Sequence, residues 1–552
     1  MKKQIDLKLI AIFGGGFLFN YLFWMESLAL NLLIYSIFII IILLQSKEIE
    51  KSNKVFLFCF SHLLAALLVI YNQSALTITS YYISLVVFVG FVHATLLRGV
   101  FTALLSGFLQ IISSPINLIR RLLNFKIGNL SFKQILKPIK YLIIPMFIIM
   151  LFGIIYSIAN PVFADYAETL VTNIGNFVSN IFTFLFGDLS FARFMHIILG
   201  ILFTAGILLA FKNNGLQTAE IKLNENLIRK RKSRLLPIFS FEGRNIFVGD
   251  KVKSNMALKT KNITGVISFL ALNLMLLFLN WIDLSTLWLN YVINEVGKNY
   301  SAELHEGTNA LIVSLFMAMA VIIYFFNGNL NFFSRNKTIK LLAFLWIAQN
   351  AFLVCSVMLR DYNYIAMHGL TYKRIGVVIF LILCSFGLVT VYIKVAKQKT
   401  FFYLCKINSL TWYSLLLVCG LVNWDVFIVN YNIEHRKTIA LDLDHLLEMS
   451  DKTLPLLDKN RELLKNYISY SSYANKYTND MINVDTTAVI SKKAQIKNIK
   501  LKMENKQNQL KAFDDDLDIR IENFNKSYDE TTWLSWNFRD WQTREYFING
   551  RK

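Results

Sequence analysis

The chain has 552 residues, 55% of them hydrophobic and only 17% charged, with a mean hydropathy of +0.47 and a net charge of +21. A soluble domain carries about 25% charged residues, so the composition excludes an ordinary soluble enzyme and points to a chain held largely in lipid. Residues 1–429 hold +20 of the charge and residues 430–552 only +1, which makes the excess a property of loops facing anionic headgroups and argues against nucleic acid as a partner.

Met1-Lys-Lys-Gln-Ile-Asp precedes an apolar run with no small-x-small cleavage site behind it. That pattern predicts a retained first helix and not a removed signal peptide. A spanning helix needs about 20 mostly apolar residues. Eleven segments qualify: 7–23, 27–45, 54–70, 76–97, 141–159, 192–211, 263–282, 309–326, 341–358, 375–393 and 408–429. The connectors between them alternate between basic and nearly cation-free. One set carries 32 Lys and Arg and the other carries 4, with Arg193 at a helix edge. Short basic loops stay cytoplasmic, so the expected arrangement is a multi-pass inner-membrane protein with a cytoplasmic amino terminus, a largest basic loop at 212–262, and a carboxy-terminal tail on the extracytoplasmic side.

Within this frame Gly14-Gly15-Gly16 in the first helix predicts close helix packing, because no strand precedes it to make a phosphate loop. Residues 98–123 place Arg120 and Arg121 beside Ile116, Ile119, Leu122 and Leu123, which suits an interfacial helix on the inner leaflet. Residues 168–187 carry Ile174, Phe177, Ile181 and Leu185 on one helical face with no cation and read as a helix on the outer surface. The five cysteines (Cys59, Cys355, Cys384, Cys405, Cys419) lack ligand spacing and are expected to be small apolar side chains in or beside membrane segments.

The tail, 430–552, is a different material. Leu441-Asp-Leu-Asp-His-Leu-Leu-Glu-Met-Ser starts with acids and continues with apolar positions at helical spacing, and Ser450 suits the cap of a second short helix. Ile496, Ile499, Met503, Leu510, Phe513, Leu517 and Phe524 fall on a heptad register that Lys506 and Arg520 interrupt. A long helix packed against the first half of the tail is favoured over a coiled coil. Trp533, Trp536 and Trp541 close the chain, either clamping the core of the tail or dipping into the interface. The expected fold class is all-α: a polytopic transmembrane bundle with about 11 spanning helices and a helical extramembrane carboxy-terminal domain.

No phosphate loop, dinucleotide fingerprint, nucleophile elbow or zinc-protease motif is present, and no cofactor is implied. The polar residues worth weighing sit at the expected outer edges of the spans. Glu303, His305 and Glu306 precede the eighth segment, while Arg360, Asp361 and His368 follow the ninth. Together they make either a His/Glu/His site or, the favoured reading, a solvated and salt-bridged loop. Asp425, near the end of the eleventh segment, needs a partner or water. It is either an ion-coupled site or, the favoured reading, a carboxylate bonded to Arg360 or Arg374.

These residues also carry a resemblance. Arg360 followed by His368-Gly369-Leu370-Thr371-Tyr-Lys-Arg374, then Asn423-x-Asp425-x-x-Ile428…Asn432 with Leu441-Asp442-Leu443-Asp444, and Trp533-x-Ser535-Trp536-Asn537, resemble three motifs of a family of bacterial multi-pass membrane proteins grouped as a domain of unknown function. His368 stands where the pattern has Tyr, and His435, with Arg436 one step on, stands where it has Arg. The resemblance implies a polytopic envelope protein and no particular activity.

Physically, the motif residues suit one polar lock fixing the tail to the bundle. Arg360, Arg374, Asn423, Asp425, Asn432, Asp442, Asp444, Trp533, Trp536 and Asn537 would form it, with Glu303, His305 and His368 as weaker members. Three functions fit the sequence. The first is a non-enzymatic envelope sensor or scaffold whose tail binds a partner protein. The second is a small-solute or ion transporter, disfavoured by the lack of a repeat. The third is a lipid-linked glycosyltransferase-like enzyme, disfavoured because the first outer loop offers only Glu26.

Overall fold

A computed structural model describes residues 7–46, 49–124, 126–127, 130–131, 139–186, 190–210, 214–228, 254–289, 300–326, 329–439, 441–470 and 492–550. The fold is all-α, and apart from two-residue strands at Lys126–Ile127 and Leu130–Ser131 the regular elements among the described residues are helices. Ten of the eleven apolar segments each fall largely within one helix, and the eleventh is split between two. Among the described residues seven helices are long and apolar enough to cross a membrane, or up to eight if one bent pair counts as a span, so the eleven expected crossings are not all matched by a helix of spanning length. Leu7–Phe23, Leu30–Gln45, Pro145–Ala159 and Ile312–Phe325 are apolar but shorter. The chain is a membrane protein on this composition. It divides into two compact units, and they do not part at residue 430: one is Met1–Arg98, Thr102–Thr218 and Thr531–Phe538, the other Gly99–Phe101, Ala219–Glu530 and Arg539–Lys552.

The first unit contains α1 (Leu7–Phe23), α2 (Leu30–Gln45), α3 (Asn53–Asn72), α4 (Ala75–His93), most of α5 (Val100–Ile112), α6 (Ser114–Asn124), α7 (Ile139–Ala159), α8 (Pro161–Phe186) and α9 (Phe191–Leu208). The glycine triplet acts through two of its members. A Cβ at Gly15 would lie 2.6 Å from Thr204, and one at Gly16 would strike Ile201, with the Ile201 nitrogen 3.0 Å away. One at Gly14 would meet nothing. The missing side chains thus bring α1 onto α9, and Tyr35 of α2 adds a hydrogen bond to Thr204 of 2.8 Å. Residues 98–123, expected as one interfacial helix, are instead α5 and α6, bent by 52°. Ser113, Ser114 and Pro115 sit at the break, where Pro115 has no N–H to continue the ladder. The pair packs inward, since a Cβ at Gly107 would collide with the Val86 carbonyl of α4 and one at Gly206 of α9 would lie 3.1 Å from Ile111.

The second unit holds the last three residues of α10 (Asn214–Ile221), α11 (Ser254–Asp283), α12 (Tyr300–Phe325), α13 (Lys337–His368), α14 (Tyr372–Ala396), α15 (Phe401–Cys419) and most of the tail. Phe269, Leu315, Ile322, Phe326, Trp346 and Leu381 belong to its bundle core. Asn273, Asn280 and Asp283 recur on α11 at i, i+7 and i+10, which is one helical face. Asn273 donates to the Leu342 carbonyl at 3.0 Å and accepts from Gln349 at 2.8 Å, and Asn280 donates to the Gln349 carbonyl at 3.2 Å. In a low-dielectric interior these bonds register α11 against α13. Lys394, counted from sequence among the orientation-setting loop cations, is buried in α14 and donates to the Phe326 carbonyl at 2.7 Å. It places positive charge just past the carboxy-terminal end of α12, the end the helix dipole favours.

The eleventh apolar segment does not run on to residue 429. It ends at Cys419, and Asn423 caps a separate helix, α16 (Trp424–Glu434), by accepting from the Val426 N–H at 3.2 Å. The tail continues with α17 (Leu443–Leu447), α18 (Leu454–Lys459) and α19 (Arg461–Leu464), and later α20 (Lys492–Glu530) and α21 (Phe538–Asn549). The long helix α20 buries Phe513, Leu517, Ile521 and Phe524 in a core with Leu443, Leu446, Leu454, Leu457, Leu464 and Ile468, so it packs on the first half of the tail. Ser450 makes no side-chain cap bond, whereas Asp442 caps α17 by accepting from the His445 N–H at 3.1 Å. Arg520 is no mere interruption of the heptads. It donates to the Leu447 carbonyl at 2.5 Å and to the Met449 carbonyl, and pairs with Asp451 at 2.7 Å. Arg461 links α19 to α20 through Asp518 at 2.6 Å and Asp514 at 3.6 Å, and the Asp518 bond, with the neighbouring carboxylates, raises its already high pKa. The five cysteines are free thiols; Cys59, Cys384 and Cys419 are buried, while Cys355 and Cys405 are exposed on α13 and α15.

Candidate functional site

The motif residues converge on the turn between α13 and α14. α13 ends because Gly369 turns the chain at φ +80° and ψ −178°, a region nearly confined to glycine. A Cβ there would lie 2.6 Å from Asn432 Oδ1 and 3.0 Å from Ile439 Cδ1. The space is taken because Asn432 of α16 reads the backbone of Leu370 from both sides. Its Oδ1 accepts from the Leu370 N–H at 2.6 Å, and its Nδ2 donates to the Leu370 carbonyl at 2.9 Å. From the opposite end Arg374 reaches back and donates to the His368 carbonyl at 3.0 Å and to the Gly369 carbonyl. Its guanidinium lies 4.3 Å from the Tyr364 ring centre. The Arg374 bonds satisfy carbonyls at the end of α13 and the Asn432 pair satisfies both backbone groups of Leu370 in the turn, where lipid would offer no partner.

The expected partners of Asp425 are not the ones found. Asp425 accepts from the Tyr372 hydroxyl, while Arg360 pairs with Asp283 of α11. Asp425 sits in the first turn of α16, where the helix dipole favours its charge. In place of one constellation there are several bonds with separate jobs: Arg360–Asp283 joins α11 to α13, Asn432 and Arg374 fix the turn, and Tyr372–Asp425 joins α14 to α16. Sequence reasoning missed Asp283 and Tyr372. Asp283 lies one residue past an assigned span, at the opposite end of its connector from the acids that were weighed, Glu303 and Glu306. Tyr372 stands inside the Thr371-Tyr-Lys-Arg374 motif.

The apolar side of this turn is continuous with the tail. Ile365, Leu370, Ile375, Ile428, Val429 and Ile433 share one core with Leu443, Leu446 and Phe513. The polar side is a cavity of about 430 Å³, lined by His368, Thr371, Lys373, Arg374, Asn432, Asp442 and His445 among others. His368, Arg374, Asn432 and Asp442 are thus brought together around one space. Asn423 acts one helix away as a cap, and Asp444 lies in the first turn of α17. Glu303 and His305 lie on α12, and their side chains are outside the described residues.

Trp533, Trp536 and Asn537 lie in Thr531–Phe538, which belongs to the first unit. There Ser535 donates to Glu26 at 2.5 Å and accepts from the Ser27 N–H at 2.9 Å. Thr532 donates to the same Glu26 oxygen at 2.7 Å, Asn537 donates to Gln73 at 2.7 Å, and the Phe538 ring stacks on Tyr71 at 5.2 Å. The segment closes over the α1–α2 and α3–α4 turns. Asn537 is buried, but Trp533 and Trp536 are exposed.

Among the described residues no three His, Cys, Asp or Glu side chains gather to hold a metal. A family model described as Domain of unknown function (DUF4153) matches residues 32–460, which spans the α13–α14 turn, α16 and α17 but stops before Trp533. No curated protein and no solved structure matches the chain.

Proposed function

We infer, for a chain that belongs to the DUF4153 family, a non-enzymatic role: a membrane-anchored sensor or scaffold whose helical tail binds a partner. One observation carries this reading. The core of the tail is built around the ends of two candidate spans, so Leu443, Leu446 and Phe513 of the tail share a cluster with Ile365 at the end of α13 and Ile375 at the start of α14. Load placed on the tail is passed to those helices through packed side chains, which move as discrete units rather than deform continuously. The surroundings are those the charge asymmetry favours: a bacterial inner membrane, a cytoplasmic amino terminus with basic loops against anionic headgroups, and the tail outside. The partner is then an envelope protein and not a nucleic acid.

A photo-crosslinking residue placed at exposed Ile519 or Ile548 of the intact chain, in its native membrane, tests the reading. A discrete adduct with a protein other than this chain is expected from at least one position. Full-length, correctly inserted protein that yields none from either would count against a partner-binding tail. The side of the membrane is read separately from a tag appended after Lys552, and a cytoplasmic tag would reverse the orientation.

A further inference from the structure

The cavity at the α13–α14 turn has the chemistry of an anion site. It opens against the first turn of α14, a 25-residue helix whose cap residue, Thr371, gives no side-chain bond to the first N–H groups. The amino end of a long helix concentrates partial positive charge and free donors. Lys373 and Arg374 of that turn both line the cavity, Lys373 exposed and Arg374 only 9% exposed. On two of the lining side chains, Arg374 Nε and His445 Nε2 have no hydrogen-bond partner among the described residues. A buried donor without a partner costs about 1–3 kcal/mol, so a missing acceptor is the simplest account of Arg374 Nε, and His445 can serve beside it. Among the described residues, Asp442 is the carboxylate lining the cavity and already caps α17, while Asp361, buried on α13, lies within electrostatic reach of Arg374.

We propose that this cavity binds a phosphate group, with Lys373 and the first-turn N–H groups of α14 as its ligands and Arg374 and His445 beside it. Helix amino termini supplemented by a lysine point charge are suited to phosphate. The cavity lies at the junction of two candidate spans, so the phosphate belongs either to a lipid headgroup or to a free solute. The inference rests on reading the tail as a binding module and names what that module senses at its base.

The test uses the full chain in nanodiscs, with thermal unfolding as the readout. One arm titrates inorganic phosphate against chloride at matched ionic strength in phosphatidylcholine discs. The other replaces part of the lipid with phosphatidylglycerol. A ligand that binds only the folded state stabilises it saturably. Saturable stabilisation by inorganic phosphate, weakened about tenfold or more in Lys373→Gln, supports a free-solute site, since one charge-assisted bond is worth about that factor. Stabilisation by phosphatidylglycerol alone, lost in Lys373→Gln, supports a headgroup site.

Thr371→Asp supplies an internal carboxylate cap and is expected to raise the basal midpoint while abolishing the response. Lys459→Gln, an exposed lysine elsewhere in the tail, is expected to leave it intact. A response absent in both arms, or unchanged in Lys373→Gln, overturns the proposal. Either result leaves the crosslinking experiment free to succeed or fail, so loss of the ligand and loss of the partner are told apart.

Discussion

Gly369→Ala puts the central claim about the turn to a quantitative test. The residue is held at φ +80°, and forcing an alanine into that region costs about 1–3 kcal/mol. The new Cβ also lies 2.6 Å from Asn432 Oδ1, so Asn432 must swing away and release both bonds to Leu370. Each is worth about 0.5–1.5 kcal/mol net, more if the Leu370 groups stay buried and unpaired. The sum is about 2–6 kcal/mol of local stability. That predicts a Leu370 amide exchanging at least about thirtyfold faster, read by hydrogen exchange of the intact protein. Part of the loss passes through Asn432, so Gly369→Ala combined with Asn432→Ala should cost less than the two separate losses added together, by about 1–3 kcal/mol. Strict additivity, or a Gly369→Ala penalty under about 1 kcal/mol, would refute the claim that this glycine exists to admit Asn432.

Arg520→Met should destabilise the tail by about 2–3 kcal/mol, because two carbonyls and Asp451 lose their donor, while Lys506→Met on the same helix stays within about 0.5 kcal/mol; denaturant titration of the intact chain separates the two. Gly16→Val should loosen α1 from α9 at a cost of about 1–3 kcal/mol, whereas Gly14→Ala, where a Cβ meets nothing, should gain up to about 1 kcal/mol from helix propensity; thermal midpoints decide. Lys394→Glu sets an acceptor against the Phe326 carbonyl and negative charge at the wrong end of α12, and should cost more than about 3 kcal/mol, seen as loss of folded protein after detergent extraction. Ser535→Ala removes one donor to Glu26 and the acceptor of the Ser27 N–H, and should raise protease cleavage within 531–538 severalfold.

Hydropathy made the helices legible because lipid leaves a chain few alternatives: each apolar run must satisfy its own backbone, and a helix does so. The motifs were legible as residues that belong together, yet their pairings were not. Arg360 finds Asp283 across helices far apart in sequence, and a count of loop charges that ignores acids gives no hint of it. The end of α15 was hidden for a related reason. Asn423 reads as one polar residue in an apolar run, whereas its side chain caps a new helix. Lys394 shows the limit of the charge rule itself. That rule describes insertion, while burial under the Phe326 carbonyl is settled later by packing.

The bonds from Ser535 to Glu26 and Ser27 join positions more than five hundred residues apart. At about 5–20 residues per second of synthesis, the α1–α2 turn emerges roughly half a minute or more before the segment that covers it. The first unit therefore cannot be finished in the order in which it is made. Its earliest helices must insert and then wait, with Glu26 and Gln73 uncovered, until residues 531–538 have left the ribosome. A frameshift or a stalled message anywhere before residue 531 leaves that face open, so an error late in translation is displayed at the α1–α2 turn.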